Sequence, residues 1–334
     1  MYRELFRSIF VQRPAHLILH VTSRCNYACK TCFVDFNKYR GSEDLTIREI
    51  SEIAGFYKNL LWLDISGGEP FLREDLAEIC AKFNAANLSI PTNCFDPALI
   101  TERVIEIKKK TTSVLSVSIS MDGFENINDE IRRKGSFLYA LETIKRLKKI
   151  SNIRVKVNTV LTEKNYEELI PFMAFVSELG VNFHSIIFKR GKTAGKEYSC
   201  PSPEKFKKIK AEIYKKWEFY NYGLNRFSAG ILRNYQKQMF EASCQVMEKN
   251  YQYPRCLAYK YHSVIYPDGD IAFCENRCSF GNIRRQKISE LLNSVNAKQH
   301  RKEIQKGECF CFHPCNMLDN YFLNPKKYFS LLIG

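Results

Sequence analysis

Apolar and polar positions divide roughly the first 190 residues of this chain into a repeated unit. Each unit pairs a short, nearly continuous apolar run with a longer stretch whose apolar residues recur at helical spacing. The runs at 16–21, 61–65, 88–90, 114–119, 153–160 and 182–188 predict strands. The stretches at 45–59, 73–84, 98–109, 137–149 and 165–179 predict helices; in the first, Ile47, Ile50, Ile53, Ala54 and Tyr57 mark one face. Six such strand–helix units joined by right-handed crossovers make a parallel sheet, an α/β fold. An open doubly wound sheet and a barrel both satisfy this pattern, and both place chemistry on loops at the C-terminal strand ends.

The first of those loops carries Cys25, Cys29 and Cys32 in the string TSRCNYACKTCF. Three thiolates at C-x3-C-x2-C spacing hold three irons of a [4Fe–4S] cube and leave the fourth open to a small chelating molecule. Three cysteines in eight residues also suit a zinc knot with a distant fourth ligand. The second strand ends in Ser66-Gly67-Gly68-Glu69-Pro70. Its glycines let a ligand approach the backbone, and Glu69 offers an acceptor for a cation.

With these two motifs the chain resembles the radical S-adenosylmethionine (SAM) superfamily. The resemblance implies a partial (β/α)6 barrel with its active site at the C-terminal strand ends. It implies that Cys25, Cys29 and Cys32 ligate a [4Fe–4S] cluster, and that SAM chelates the open iron. Gly67, Gly68 and Glu69 would approach the SAM amino group. Ser120 and Asp122, in SVSISMDG, would lie near its ribose. Arg132, in NDEIRRKG, would pair with its carboxylate, since guanidinium grips carboxylate bidentately. Asn93 at the end of the third strand and Asn158 in the fifth would also face the site. Thr31 departs from the aromatic residue common before the last cysteine, and Phe33 is the expected substitute cover.

A second cysteine group lies in the last third. Cys256 precedes an apolar run at 261–266, a Pro267-Asp268-Gly269-Asp270 turn and a second run ending in Cys274. A hairpin brings its outer ends together, so both thiols can reach one metal. Cys278, Cys309, Cys311 and Cys315 follow. The pattern over 256–320 resembles the SPASM/twitch auxiliary-cluster domain. Six cysteines are too few for two fully ligated cubes, so one auxiliary [4Fe–4S] cluster is expected. Cys256, Cys274, Cys311 and Cys315 are the expected ligands, with Cys309 close behind and Cys278 spare. A structural zinc site would use the same residues.

The expected organisation is an amphipathic segment at 1–14, a core at 15–190, a helical linker at 191–255 and the small auxiliary domain with its tail at 256–334. The 334 residues include 45% hydrophobic and 26% charged residues, as in ordinary globular proteins. No signal peptide and no transmembrane run is visible, and thirteen cysteines without an export signal favour metal over disulfides, hence a cytoplasmic setting. The net charge of +15 is concentrated in Lys- and aromatic-rich linker helices; with no RNA-binding module in sight, nucleic acid is disfavoured. The amphipathic ends are expected to dock on the barrel, with peripheral membrane contact as the alternative.

The expected activity is reductive cleavage of SAM, with electrons from flavodoxin or ferredoxin, to a radical that takes hydrogen from a substrate, while the auxiliary cluster relays an electron. The substrate is a peptide or protein side chain; a sugar, lipid or cell-envelope precursor is the alternative. A non-catalytic iron–sulfur carrier is the reading of another class. Only about two dozen residues precede Cys25, so no leader-peptide-binding domain is expected ahead of the barrel.

Overall fold

Leu17, Leu19 and Val21, Leu63 and Ile65, Leu88 and Ile90, Val117 and Ile119, and Val155 and Val157 occupy alternate positions on consecutive strands and meet in one large core. Strand side chains alternate between faces, so these residues share the face that the helices cover. In the computed structural model, which describes residues 14–34, 43–190 and 195–333, six parallel strands carry them. These are β1 (His16–Thr22), β2 (Asn59–Gly67), β3 (Asn84–Thr92), β4 (Val114–Ser120), β5 (Ile153–Leu161) and β6 (Phe183–Phe188). They lie in sequential order, the arrangement of a partial barrel. Helices α1 (Ile47–Tyr57), α2 (Leu76–Ala81), α3 (Pro97–Lys110), α4 (Glu125–Ile131), α5 (Ser136–Leu147) and α6 (Leu169–Glu178) connect them.

The opposite, inner face is polar. Register places His16, His20, Asp64, Ser66, Asn87, Ser89, Ser116, Ser118, Ser120, Lys156, Asn158 and Ser185 on it. On the β1–β7–β8 side this face turns apolar, where Ile18, Val264, Tyr266 and Ala272 pack together; across β2 to β6 its polar groups suit a polar ligand.

Two local departures from the sequence reading have simple causes. β3 begins at Asn84 although Asn84-Ala85-Ala86-Asn87 has little strand propensity, because β2 pairs with it from Asn59↔Asn84 onward and β4 takes its other edge at Asn87. The unexpected α4 is seven residues long and is held by Asn128, whose Oδ1 accepts from the Asp122 amide at 2.9 Å.

Beyond β6, α7 (Pro203–Trp217) and α8 (Arg226–Lys249) fill the linker. The rings of Phe188 and Phe206 stack at 4.1 Å, and Phe240 stands edge-on to both. After α9 (Ala258–Tyr261), β7 (His262–Ile265) and β8 (Asp270–Ala272) form the expected hairpin, and β9 (Gly281–Asn282) adds to it. β7 also pairs parallel with β1, from His16↔His262 to Leu19↔Ile265. The auxiliary region thus continues the core sheet, which becomes nine-stranded, β6-β5-β4-β3-β2-β1-β7-β8-β9.

Helices α10 (Ile288–Leu291), α11 (Val295–Lys306), α12 (Pro314–Phe322) and α13 (Tyr328–Ile333) complete the chain. The tail docks both on the barrel and on α8: Leu323 is buried against Ala15 and Leu61, while Leu331 is buried with Asn234 donating to its carbonyl at 3.0 Å and Gln238 donating to the Ser330 carbonyl at 2.7 Å. The amphipathic stretch of residues 2–10 lies outside the described residues. No helix among the described residues is long and apolar enough to cross a membrane.

Candidate active site

The three-cysteine loop leaves the end of β1 and is pinned on every side. The Gly68 amide donates to the Thr22 carbonyl at 2.8 Å, and the Glu69 amide donates to the Arg24 carbonyl at 2.9 Å. The buried Arg73 reaches across to donate to the carbonyls of Val21 and Leu45, both at 2.8 Å. Asn93, at the end of β3, donates to Asn26 Oδ1 at 2.9 Å with its amide nitrogen 3.9 Å from Cys25 Sγ. On the far side the Lys30 amide donates to the Ile131 carbonyl of α4 at 2.9 Å.

The two glycines of the turn serve this loop. A Cβ on Gly68 would lie 1.9 Å from the Arg24 carbonyl oxygen, and one on Gly67 would lie 2.3 Å from the Thr22 oxygen. Gly67 also has φ +123°, a conformation that side chains disfavour. Together the two glycines let β2's exit press against the backbone that carries Cys25.

Glu69 is buried, and both its oxygens accept backbone amides: Phe71 at 3.2 Å and Asn93 at 2.7 Å. Burial raises its pKa to about 7 despite those bonds. Asp122 is fully buried. Its Oδ1 accepts the Val160 amide at 2.7 Å, and its Oδ2 pairs with Arg132 Nη2 at 2.8 Å. Burial works against the charge on Arg132, yet Asp122 and Cys29 together push its pKa up. Its Nε is buried without a partner. Ser120 and Asn158 are half-buried neighbours in register. Cys25 and Cys32 are exposed and Cys29 half-exposed. Desolvation raises all three thiols, Cys29 to about 11, while Arg132 favours the thiolates of Cys29 and Cys32. Three surface-open thiols on a fixed loop, beside a guanidinium with a free buried donor, fit an anionic cluster and a carboxylate-bearing ligand. Phe33 packs under the Arg190 guanidinium, 3.7 Å from its ring centre.

The second group also assembles. Cys256, Cys274, Cys309 and Cys311 lie near enough for their charges to raise one another's pKa, after burial, the larger cause. Cys315 is placed otherwise. It sits in the first turn of α12, with Sγ 3.7 Å from Asp64 Oδ2. The foremost charges acting on it are Asp64 and Glu275. Cys309 thus stands with Cys256, Cys274 and Cys311, while Cys315, at the start of α12, faces Asp64 of β2. Cys278 is exposed.

Sequence reasoning missed the polar groups between the two cysteine sets. Glu275, next to Cys274, takes His20 Nε2 at 2.9 Å, Arg190 Nη2 at 3.1 Å and the His313 ring. Burial opposes its charge, but Arg190 and His20 hold its pKa down near 2. Deeper in, His16 bridges Asp64 and Asp319; burial alone would lower its pKa, but the two carboxylates carry it to about 10. The available signal was a pair of histidines, His16 and His20, on one face of an otherwise apolar strand.

Comparison with known proteins agrees with this arrangement. Residues 19–176 match the radical SAM superfamily and residues 256–316 match an iron–sulfur cluster-binding domain, SPASM. The chain belongs to the radical SAM superfamily. A radical SAM enzyme with a SPASM domain implies SAM and [4Fe–4S] clusters as cofactors. Among its relatives is the uncharacterized protein MJ0907 of Methanocaldococcus jannaschii, 32% identical over 58% of this chain and 69% of that one. The mycofactocin maturase MftC of Mycolicibacterium smegmatis is 26% identical over 50% of this chain. The match spans only 43% of that maturase. The AdoMet-dependent heme synthase of Methanosarcina barkeri is 26% identical over 89% of this chain and 87% of its own length. In fold, this radical SAM protein is similar to anSMEcpe with bound AdoMet and Cp18Cys peptide, with TM-score 0.63, 18% identity and coverage of 87% and 83%. It is equally similar to Streptococcus suis SuiB bound to the precursor peptide SuiA, with TM-score 0.64, 15% identity and coverage of 90% and 69%.

Proposed function

We propose that this enzyme oxidises or cross-links a side chain of a peptide or protein substrate. The observation that carries the reading is the row of polar side chains on the inner face of β1 to β6, beside the Cys25–Cys32 loop, in a sheet that the auxiliary cysteine region extends. Bound there, the first cluster and SAM supply one-electron cleavage to a radical that removes hydrogen, and the second cluster supplies an electron acceptor. The protein's own residues do the rest. Asn93 and the Gly67–Glu69 turn hold the cysteine loop. Arg132, kept charged by Asp122, is placed to receive the SAM carboxylate through its free Nε. Ser120 and Asn158 offer hydrogen bonds at the cavity wall. Glu275, His20 and Arg190 bind the auxiliary side to the core. Maturases such as MftC, and the peptide-bound fold neighbours, support a peptide substrate. A flavodoxin or ferredoxin is the proposed reductant.

The test is anaerobic reconstitution. The parent should carry about eight irons from two cubes, and the Cys25/Cys29/Cys32→Ala variant about four. With dithionite and SAM the parent should form 5′-deoxyadenosine and the variant none; formation by the variant would sink the assignment. A second reading, the same chemistry on a small molecule, draws on the heme synthase relative, whose match spans most of both chains. Stimulation of deoxyadenosine formation by a heme-type macrocycle, and not by short peptides encoded beside the gene, would favour it.

A further inference from the structure

Between the two cysteine groups a third set of donors faces the inner side of the sheet; it draws on Cys315 and leaves Cys256, Cys274, Cys309 and Cys311, four thiols that suffice for one auxiliary cube. His16 Nε2 lies 2.8 Å from Asp64 Oδ2, and that oxygen lies 3.7 Å from Cys315 Sγ. The imidazole nitrogen, the carboxylate oxygen and the sulfur all lie within 4.8 Å of one another. Behind them, His16 Nδ1 meets Asp319 Oδ1 at 2.9 Å, and Asp319 Oδ2 meets His262 Nδ1 at 2.7 Å. His16, His262 and Asp319 are fully buried, whereas the Asp64 side chain is 25% exposed.

We propose that His16, Asp64 and Cys315 bind a single Zn2+ ion, independent of both iron–sulfur clusters. Imidazole, carboxylate and thiolate are the donors zinc takes, and three protein ligands leave a tetrahedral site one open position. Softer and harder divalent ions are less well served by this mixed set. The Asp319–His16 contact is the carboxylate–histidine pair that orients a metal-bound imidazole and fixes its tautomer. His262 holds the other Asp319 oxygen, so the carboxylate cannot rotate away. Without the ion, a proton on each ring nitrogen of His16 meets one carboxylate, and Zn2+ would take the place of the proton on Nε2. Asp64 and Cys315 are half-buried whereas His16 is fully buried, so the fourth position faces the inner surface. It takes water or an oxygen or nitrogen donor of the substrate. The ligands come from β1, β2 and α12, so the site exists only once α12 has packed beneath the sheet.

The measurement is zinc and iron content of the full chain, purified anaerobically with zinc present, followed by Co2+ loading of the dialysed protein. The expected result is about one zinc per chain, both in the parent and in Cys25/Cys29/Cys32→Ala, which separates this site from the first cluster. Asp64→Asn and Cys315→Ala should lose that zinc and keep the parent's iron. Asp319→Asn should weaken zinc affinity roughly ten- to hundredfold, as loss of an orienting partner does. Parent protein with Co2+ should show a thiolate-to-cobalt charge-transfer band; Cys315→Ser should fold, keep iron and lose the band, while Cys278→Ala keeps it. A parent free of zinc and without the cobalt band overturns the proposal: the cluster then holds a proton on His16 and nothing more. Loss of iron rather than zinc in Cys315→Ser also overturns it, by assigning the thiol to the auxiliary cluster.

Discussion

Gly68 shows how one missing methyl group positions chemistry several residues away. Its amide anchors Thr22 and its bare Cα lets the Arg24 carbonyl pass within a distance no side chain tolerates. Gly68→Ala must therefore push the cysteine loop off β2. The expected outcome is joint loss of first-cluster iron and deoxyadenosine formation, with the auxiliary irons retained. Full iron with weakened SAM affinity alone would support the view that the glycine makes room for SAM. Arg132 acts differently: its pair with Asp122 is buried on both sides. Removing the guanidinium leaves a buried carboxylate uncompensated, a cost of about 3–5 kcal/mol. Arg132→Ala should accordingly lower the melting temperature as well as SAM affinity.

Single elements are tied into the sheet by end contacts as much as by faces. The N-terminus of α1 carries a capping box, Thr46 with Glu49, and the same Glu49 receives Arg284 Nε at 2.6 Å from the turn after β9. The Arg284 bond, then the Thr46 bonds, bring Glu49 from 4.5 to about 2, against desolvation. A carboxylate with a lowered folded pKa contributes stability above its unfolded value, and that stability is lost as pH falls through the folded one. The contribution is thus complete above about pH 4.5 and fades toward pH 2. Because the pair is partly solvated it is worth about 1 kcal/mol. Arg284→Ala should melt lower than the parent at pH 6, and the two curves should converge as pH falls to about 2. A gap that persists in acid would mean that Arg284 stabilises by packing instead.

At the scale of the molecule, the deciding contact is β7 on β1. Every residue of β1 is buried, and its second edge is covered by a strand that arrives more than two hundred residues later. Ending the chain at residue 255 would leave that apolar edge unpaired, and unpaired edges associate. Such a truncated protein should elute as aggregates in size-exclusion chromatography, whereas the full chain should unfold in one cooperative step. A monomeric, folded 1–255 fragment would show that the core closes without its auxiliary region. His16 reinforces the joint: it bonds β2 on one side and α12 on the other.

The sequence alone determined the local layer of this protein. Short continuous apolar runs placed the six strands, and a period of three to four placed five of the helices connecting them, because a strand buried on both faces and a helix buried on one require those patterns whatever the neighbours are. The C-x3-C-x2-C and GGEP motifs were legible because the spacing between neighbouring ligands is set by the backbone of one loop. The hairpin from Cys256 to Cys274 was legible for the same reason. What tertiary structure decided is every choice between distant partners. That Cys309 joins Cys256, that Cys315 turns to Asp64, that Gly68 yields to Arg24 and that Asp319 clasps His16 across 303 positions all depend on how β7 and α12 dock. Such contacts leave no periodic trace, because their energy comes from burial and charge pairing between segments whose separation along the chain is arbitrary.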